Sequence, residues 1–347
     1  MADSKVFIIA EAGVNHNGDV EKALELVRVA AKAGADAVKF QTFNPDLLVT
    51  EHAATAEYQK DTTGADNQYE MLKSLVLSES DYDLLIAECA KTGIEFMSTP
   101  FDFGSAKFLE KLGVQRLKIP SGELNNIPFL KQLATIDLPL ILSTGMGTLE
   151  EVQEAVACIT TTRKELGYKA PIEEVLTVLH CTSNYPAKAE DVNLKAMLTM
   201  KCALPGVPVG YSDHTLGIEI SIASVAMGGT MVEKHFTLDK TLPGPDHRAS
   251  LEPQELEAMV SSIRNVEAAF GDGVKAPRPS ELPVRDIARR SLSLAADIEA
   301  GKPLTEADIV ITRPATGIQP KELEAVIGKS LKAAQLKGTT LNWDMLS

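Results

Sequence analysis

Val6–Thr42 reads VFIIAEAGVNHNGDVEKALELVRVAAKAGADAVKFQT. Two short apolar runs, Val6–Ala10 and Ala37–Thr42, bracket a stretch in which Val20, Ala23, Leu24, Val27, Ala30 and Ala31 recur at three- and four-residue spacing. That period is the signature of an amphipathic helix. Asp19 stands where an N-cap belongs and Gly34 where a C-cap belongs. The segment therefore predicts strand, helix, strand, with the two strands parallel because a helix crosses between them.

The same unit repeats down the chain. Further strands are expected at Glu95–Thr99, Gln115–Ile119, Leu140–Thr144, Thr177–Cys181, Pro208–Ser212 and Thr230–Glu233. Further helices are expected around Asp81–Lys91, Ser105–Leu112, Leu149–Leu166 and Gln254–Phe270. Strands alternating with helices give a parallel sheet, either closed into a (β/α)8 barrel or open and doubly wound. The first strand lacks GxGxxG and the chain has no GxxxxGK[ST], which disfavours the nucleotide-binding open forms. Eight units within about 270 residues match the usual barrel size.

The 347 residues carry 34 Lys and Arg against 48 Asp and Glu, a formal charge of −14. An acidic chain makes a poor ligand for nucleic acid or an anionic membrane, so neither is expected as a partner. The longest nearly apolar stretch, Ile220–Val232, is too short to span a bilayer and is broken by Gly228 and Gly229. The five-residue run Val6–Ala10 is too short for the core of a signal peptide, so a cytoplasmic location is expected. Cys89, Cys158, Cys181 and Cys202 are scattered without a CxxC pair, as reduced thiols would be. Charge is nearly balanced over 286–347, so the acidic excess lies in the first 285 residues. Between them, Gly271–Pro283 holds three prolines in seven residues and reads as an extended linker. The expected organisation is a barrel over 1–270, a linker over 271–285 and a small domain over 286–347.

Polar residues gather where the strands end. They are Glu11 after the first strand, Lys39 and Gln41 on the second, Ser98-Thr99 on the third, and Lys118 with Ser121-Gly122-Glu123 on the fourth. Ser143-Thr144-Gly145 follows on the fifth, His180 with Thr182–Tyr185 on the sixth, Ser212-Asp213-His214 on the seventh, and Glu233-Lys234-His235 on the eighth. In a barrel these ends share one mouth, where such folds keep their chemistry. A lysine inside a barrel costs several kcal/mol unless an opposite charge meets it. Lys39 and Lys118 therefore predict an anionic ligand, a phosphate or carboxylate. Ser143–Gly145, leading into a helix, adds hydroxyl and N–H donors of the kind that favour anions. His214 and His235, on neighbouring strands, are the metal candidates, since imidazole suits Mn, Fe, Co or Zn. Asp246 lies in the stiff Leu242–Arg248 loop, where it can orient a hydroxyl-rich ligand.

These strings, taken together, resemble the sialic acid synthase family. The resemblance rests on Ile9–Gly18, Val38–Thr42, Ser98–Asp102, Lys118–Glu123, Ser143–Met146, Tyr211–Thr215, Glu233–Thr237 and Gly244–His247. Residues 286–347 resemble that family's C-terminal antifreeze-like (SAF, β-clip) domain, through Arg289–Leu292 and Arg313–Ile318. The resemblance implies a TIM barrel with a SAF lid, in a homodimer whose lids each cover the partner's barrel mouth. It implies condensation of phosphoenolpyruvate with an open-chain N-acetylated amino sugar to a 2-keto acid, with release of phosphate. Carried over by position, Lys39, Thr99, Lys118, Ser121, Ser143, Ser183 and Ser212 hold phosphoenolpyruvate. Glu11, Tyr185, Asp246 and a partner's Arg313 hold the sugar. His214 and His235 bind a divalent metal, Mn2+ foremost, with Mg2+ or Co2+ as alternatives. Glu123 is the acid at the reacting centre, with Glu11 and Lys118 as further catalytic groups. Either Ser183 or Asn184 contacts the pyruvyl group, and Ala315 stands where other members carry glycine.

The usual sugar of the family, N-acetylmannosamine, makes N-acetylneuraminate the expected product. Ala10–Gly18, Asp191–Lys195 and Arg313–Ile318 also resemble legionaminic acid synthases, which take 2,4-diacetamido-2,4,6-trideoxymannose. Pseudaminate and 9-phosphate synthesis are further variants of the same chemistry. A glycan-binding protein on an inert barrel is the alternative of a different class.

Overall fold

The computed structural model describes residues 5–50 and 67–347. The chain divides into two compact units, Met1–Phe270 and Gly271–Ser347.

The first unit is a (β/α)8 barrel. Its strands are β1 (Phe7–Gly13), β2 (Ala37–Thr42), β3 (Glu95–Pro100), β4 (Leu117–Ile119), β5 (Leu140–Ser143), β6 (Leu176–Cys181), β7 (Val209–Asp213) and β8 (Met231–His235). The helices that follow them are α1 (Val20–Ala33), α2 (Glu79–Thr92), α3 (Phe103–Leu112), α4 (Ile127–Ala134), α5 (Leu149–Glu165), α6 (Ala196–Ala203), α7 (Glu219–Ala226) and α8 (Pro253–Ala269). All ladders are parallel, in the order β3-β2-β1-β8-β7-β6-β5-β4. The two end strands, β3 and β4, lie against each other and nearly close the ring. The caps expected of α1 are present. Asp19 accepts from the Glu21 and Lys22 amides, and Gly34 adopts φ 82°, a left-handed conformation in which glycine carries no steric penalty.

Alternation along each strand sorts the core into two shells. Outward-facing Ile8, Ala10, Val38, Phe40, Leu142, Val178, Tyr211 and Val232 pack under the helices. Inward-facing Ile9, Ala37, Met97, Ile141, Leu179 and Met231 fill the barrel as one apolar layer. Gly210 makes room for that layer, because a Cβ there would stand 2.7 Å from Leu179 Cδ2 and 2.4 Å from the Met231 carbonyl oxygen. Above the layer, towards the C-terminal strand ends, the inward positions turn polar.

Several strands run further into polar sequence than β-propensity predicts. β1 continues through Glu11 to Gly13 and β8 through Lys234 to His235, because neighbouring strands supply backbone partners there whatever the side chain. β4 is shorter, beginning at Leu117 rather than Gln115. α7, EISIASVA, is apolar on nearly every face and so merged with β8 in a single apolar stretch of sequence. No helix among the described residues is long and apolar enough to cross a membrane.

The second unit begins with the proline-rich segment. It is exposed, as an extended linker would be, but it is not extended throughout. A 3-10 turn at Pro279–Glu281 leads into α9 (Leu282–Ala288), whose first turn accommodates Pro283 without losing a hydrogen bond. Beyond it, β9 (Ser291–Leu294) pairs antiparallel with β10 (Ile309–Thr312). They cover a separate core of Leu292, Leu294, Ile298, Leu304, Ile318, Val326, Leu331, Leu341 and Leu346.

Candidate active site

The polar layer at the barrel mouth is built from four interlocked charges. Lys39 Nζ stands 2.6 Å from Glu11 Oε2 and 3.7 Å from Glu233 Oε2, and it donates to Thr99 Oγ1 at 2.9 Å. Lys118 Nζ donates to Glu233 Oε1 at 2.9 Å, and Ser212 Oγ donates to the same oxygen at 3.0 Å. None of the four side chains is more than 4% exposed. The two lysines, which on sequence alone called for an anionic ligand, are already met by carboxylates of the chain itself. The cluster as built is two cations and two potential anions.

Its electrostatics separate the two acids. Burial pushes Glu11 up to about 7, against the pull of Lys39 and with Glu233 adding to the rise. Burial also opposes ionisation of Glu233, but Lys118 and Lys39 outweigh it and hold the group at about 2. Glu233 is thus the fixed anion. Glu11 exchanges a proton near neutrality, and when protonated it leaves the Lys39 charge free for an incoming anion.

The two histidines stand beside this cluster, ring centroids 5.4 Å apart. His214 Nδ1 lies 2.8 Å from the Thr182 carbonyl oxygen. A proton on Nδ1 satisfies that bond and leaves Nε2 with its lone pair. His235 Nδ1 is buried with no hydrogen-bond partner, 3.8 Å from Asp246 Oδ2. Burial, then His214 and Lys39, hold the His235 pKa well below the usual range, so the ring is neutral. Burial works against a charged His214, yet the adjacent Cys181 sulfur, 3.6 Å away, together with the Thr182 carbonyl and Glu233, raises the pKa. Asp246 is pushed up to about 6 by burial, against His214 and Lys39. The Tyr185 ring lies against His214 at 4.2 Å, tilted by 38°, and meets His235 edge-on at 5.6 Å.

These side chains fit a divalent metal. Two imidazole donors are available: His235, held neutral, with an orphaned buried nitrogen, and His214, which must give up any second proton to bind a cation. No group of three or more His, Cys, Asp and Glu among the described residues is placed to hold an ion. The chain would therefore supply two donors and leave the other positions to water and substrate, as a Lewis-acid site requires.

Around the charges runs an arc of hydroxyls. Ser121, Ser143, Ser183 and Ser212 line a cavity of about 250 Å³ together with Glu11, Lys39, Thr99, Lys118, Tyr185, His214 and His235. The Ser121 Oγ accepts from the Gly145 amide at 3.0 Å, and the buried Ser143 Oγ has no hydrogen-bond partner. A Cβ on Gly145 would stand 2.1 Å from Ser183 Oγ and 2.8 Å from Ser121 Oγ, so only glycine lets these hydroxyls converge. Ser183 lines the cavity, whereas Asn184 is exposed and its Oδ1 accepts from the Tyr185 amide.

Three predicted residues, Glu123, Asp246 and Arg313, are not among those lining the cavity. Glu123 sits in the Ser121–Glu123 turn, outside the cavity lining, and its carboxylate accepts from Asn126 Nδ2 at 2.6 Å. Asp246 is buried and borders the cluster, its Oδ2 3.8 Å from His235 Nδ1. Arg313 belongs to the second unit, where it is exposed just after β10. Conversely, Glu233, Gln41 and Cys181 line the cavity and had no role assigned from sequence. Parity along the strand was the available signal. Glu233 is two residues before His235, and Gln41 two after Lys39, so each shares its neighbour's inward face.

The NeuB family's sequence model matches residues 26–275, and that of the SAF domain matches residues 289–347. The chain belongs to the NeuB family. Among NeuB-like relatives, an N,N'-diacetyllegionaminic acid synthase of Legionella pneumophila is 51% identical over 339 residues, covering 97% of this chain and 94% of that one. A synthase of the same name from Campylobacter jejuni is 45% identical, covering 94% and 95%. Among solved structures, an N-acetylneuraminic acid synthetase of Leptospira borgpetersenii in complex with citrate superposes with TM-score 0.68 at 35% identity, covering 81% of this chain and 90% of that one. NeuB membership carries the family-level activity, a phosphoenolpyruvate-dependent condensation on an amino sugar.

Proposed function

We propose that the chain condenses phosphoenolpyruvate with open-chain 2,4-diacetamido-2,4,6-trideoxymannose to give N,N'-diacetyllegionaminate and phosphate. The observation that carries the choice of sugar is the 51% identity, over nearly the full length of both chains, to a protein of that activity. It favours this sugar over N-acetylmannosamine, the substrate first expected from sequence.

In this reading C3 of phosphoenolpyruvate bonds to the aldehyde carbon, water adds at C2, and the C2–O bond to phosphate breaks. Lys39 and Lys118 hold the phosphate and carboxylate, with Thr99, Ser121, Ser143, Ser183 and Ser212 as hydroxyl donors. Glu11 takes a proton as the anion enters, which keeps the buried charge balanced, and it gives that proton to the former aldehyde oxygen as the C–C bond forms, while the proton shed by the water at C2 leaves with the departing phosphate. Glu233 stays ionised and holds both lysines in place. His214 and His235 would hold the divalent metal, which when bound polarises the aldehyde oxygen. Asp246 and Tyr185 orient the sugar, and Arg313 of a partner's lid reaches an acetamido group, a task its planar donor fork suits. Glu123 acts through Asn126 at the rim in this reading, since its carboxylate is held away from the cavity.

Phosphate release from phosphoenolpyruvate, measured with each sugar in Mn2+ and again in EDTA, tests the proposal. Metal-dependent release with a higher kcat/KM for the diacetamido sugar supports it. Preference for N-acetylmannosamine moves the product to N-acetylneuraminate, and absence of release with either sugar refutes the proposed reaction.

A further inference from the structure

Asp213 and Lys234 are the last paired residues of β7 and β8, and the residues immediately after them are His214 and His235. Alternation points the histidines into the mouth and sends Asp213 and Lys234 the other way, beneath α7. There Lys234 Nζ lies 3.0 Å from Asp213 Oδ2, with neither side chain exposed at all. Asp213 Oδ2 also accepts from Ser221 Oγ of α7 at 2.6 Å, and Oδ1 accepts from the Thr215 amide and hydroxyl at 2.9 and 2.8 Å. Lys234 Nζ donates in addition to the Thr215 carbonyl oxygen. Lys234 thus binds the residue on each side of His214, and its own next neighbour is His235.

The position matters because the backbone ladder between β7 and β8 ends at this pair. One residue on, the His214 carbonyl accepts from the Ala187 amide and the His235 carbonyl from the Leu251 amide, each at 2.8 Å. The two strands part there, His214 tied to Ala187 and His235 to Leu251 and, through the β1 ladder, to Glu11. The Asp213–Lys234 pair ties the two strands at their last paired residues. A buried ion pair is a weak device for stability, since apolar residues of similar volume often serve as well or better. What this one supplies is a fixed relation between two strand ends.

We propose that the Asp213–Lys234 pair is a positioning device that sets the spacing and orientation of His214 and His235 so that both imidazoles bind one divalent cation. The inference rests on the reading of those two histidines as the metal donors. Its test is Mn2+ affinity of the full chain, stripped by chelator, with no substrate present, followed by calorimetry or by the electron paramagnetic signal of free Mn2+. The Asp213→Leu/Lys234→Met double variant replaces the pair with apolar residues. It is expected to fold with a lower Tm, because Ser221 and the Thr215 amide, hydroxyl and carbonyl lose their partners, to keep its phosphoenolpyruvate affinity, and to bind Mn2+ about 10- to 100-fold more weakly, the range typical of groups that support metal ligands. A folded double variant that binds Mn2+ within threefold of the parent overturns the proposal. If the double variant does not fold, Asp213→Asn, which keeps an acceptor for Thr215, carries the test on the same criterion. Failure of both to fold makes the pair a requirement of the fold and overturns its assignment to the site. His235→Ala separates the two levels. Undiminished Mn2+ binding by that variant refutes the histidine reading itself, whereas loss in His235→Ala beside parental affinity in the double variant refutes the positioning role alone.

Discussion

Lys39 Nζ and Glu11 Oε2 stand 2.6 Å apart on neighbouring strands, both buried. In the proposed reaction, this contact makes the barrel mouth a proton-coupled anion site rather than a bare cationic one. Glu11 sits near 7, chiefly through burial, so binding a phosphate and a carboxylate beside Lys39 raises it further and draws in a proton. Phosphoenolpyruvate affinity is therefore expected to fall as pH rises above 7, where the substrate's phosphate is already fully ionised. Calorimetry in buffers of different ionisation enthalpy should show proton uptake on binding at pH 7–8. Glu11→Gln should abolish both the uptake and the pH dependence.

The same acids set opposite slopes in the stability of the free chain. Glu11 is raised from 4.5 to about 7, so the folded state binds the extra proton and stability declines as pH rises through that window. Glu233 is lowered from 4.5 to about 2, so its contribution is present above 4.5 and lost as pH falls towards 2. A profile of Tm against pH should show both limbs, and Glu11→Gln should flatten the upper one.

Glu233 joins both lysines, so Glu233→Ala leaves two buried cations short of a partner. A loss of about 3–5 kcal/mol is expected, the usual cost of breaking a buried pair. Urea unfolding with and without inorganic phosphate checks this. Added phosphate should restore more stability to the variant than to the parent, because the anion replaces the missing carboxylate.

His235→Ala removes the orphaned nitrogen at the mouth. The activity of the parent should vanish in EDTA and return with Mn2+. The variant should lose at least about 100-fold in kcat, the upper end of what disturbing a metal site's supporting groups costs, and excess Mn2+ should not restore it. Parental activity in the variant would remove His235 from the site.

Gly145→Ala puts a methyl group against Ser183 and Ser121. The overpacking should cost about 1–3 kcal/mol. It should raise the KM for phosphoenolpyruvate more than that for the sugar, since the displaced hydroxyls belong to the anion's arc. Steady-state kinetics with each substrate varied in turn separates the two.

Much of this is legible in the amino-acid sequence. The strand–helix period located the barrel strands, and polar residues in strand ends pointed to Lys39, Lys118, His214 and His235. What sequence could not show was which charges meet. Glu233 lies 115 residues from Lys118 along the chain, so nothing local marked it as that lysine's partner, and an external anion was the natural inference. Glu123 looked inward by position, but Asn126, three residues on, holds its carboxylate in the turn. α7 is not legible in the sequence, because a helix that is apolar on most faces has no 3.6-residue contrast to read. The choice between Ser183 and Asn184 needed the chain's direction at the end of β6, which adjacent residues of similar polarity do not reveal.

The most direct test of the account is a competition in one vessel: limiting phosphoenolpyruvate, Mn2+, and equal amounts of 2,4-diacetamido-2,4,6-trideoxymannose and N-acetylmannosamine, with the nine-carbon products resolved by mass spectrometry. N,N'-diacetyllegionaminate as the dominant product is the predicted result. N-acetylneuraminate in excess, or phosphoenolpyruvate left unconsumed, would contradict it.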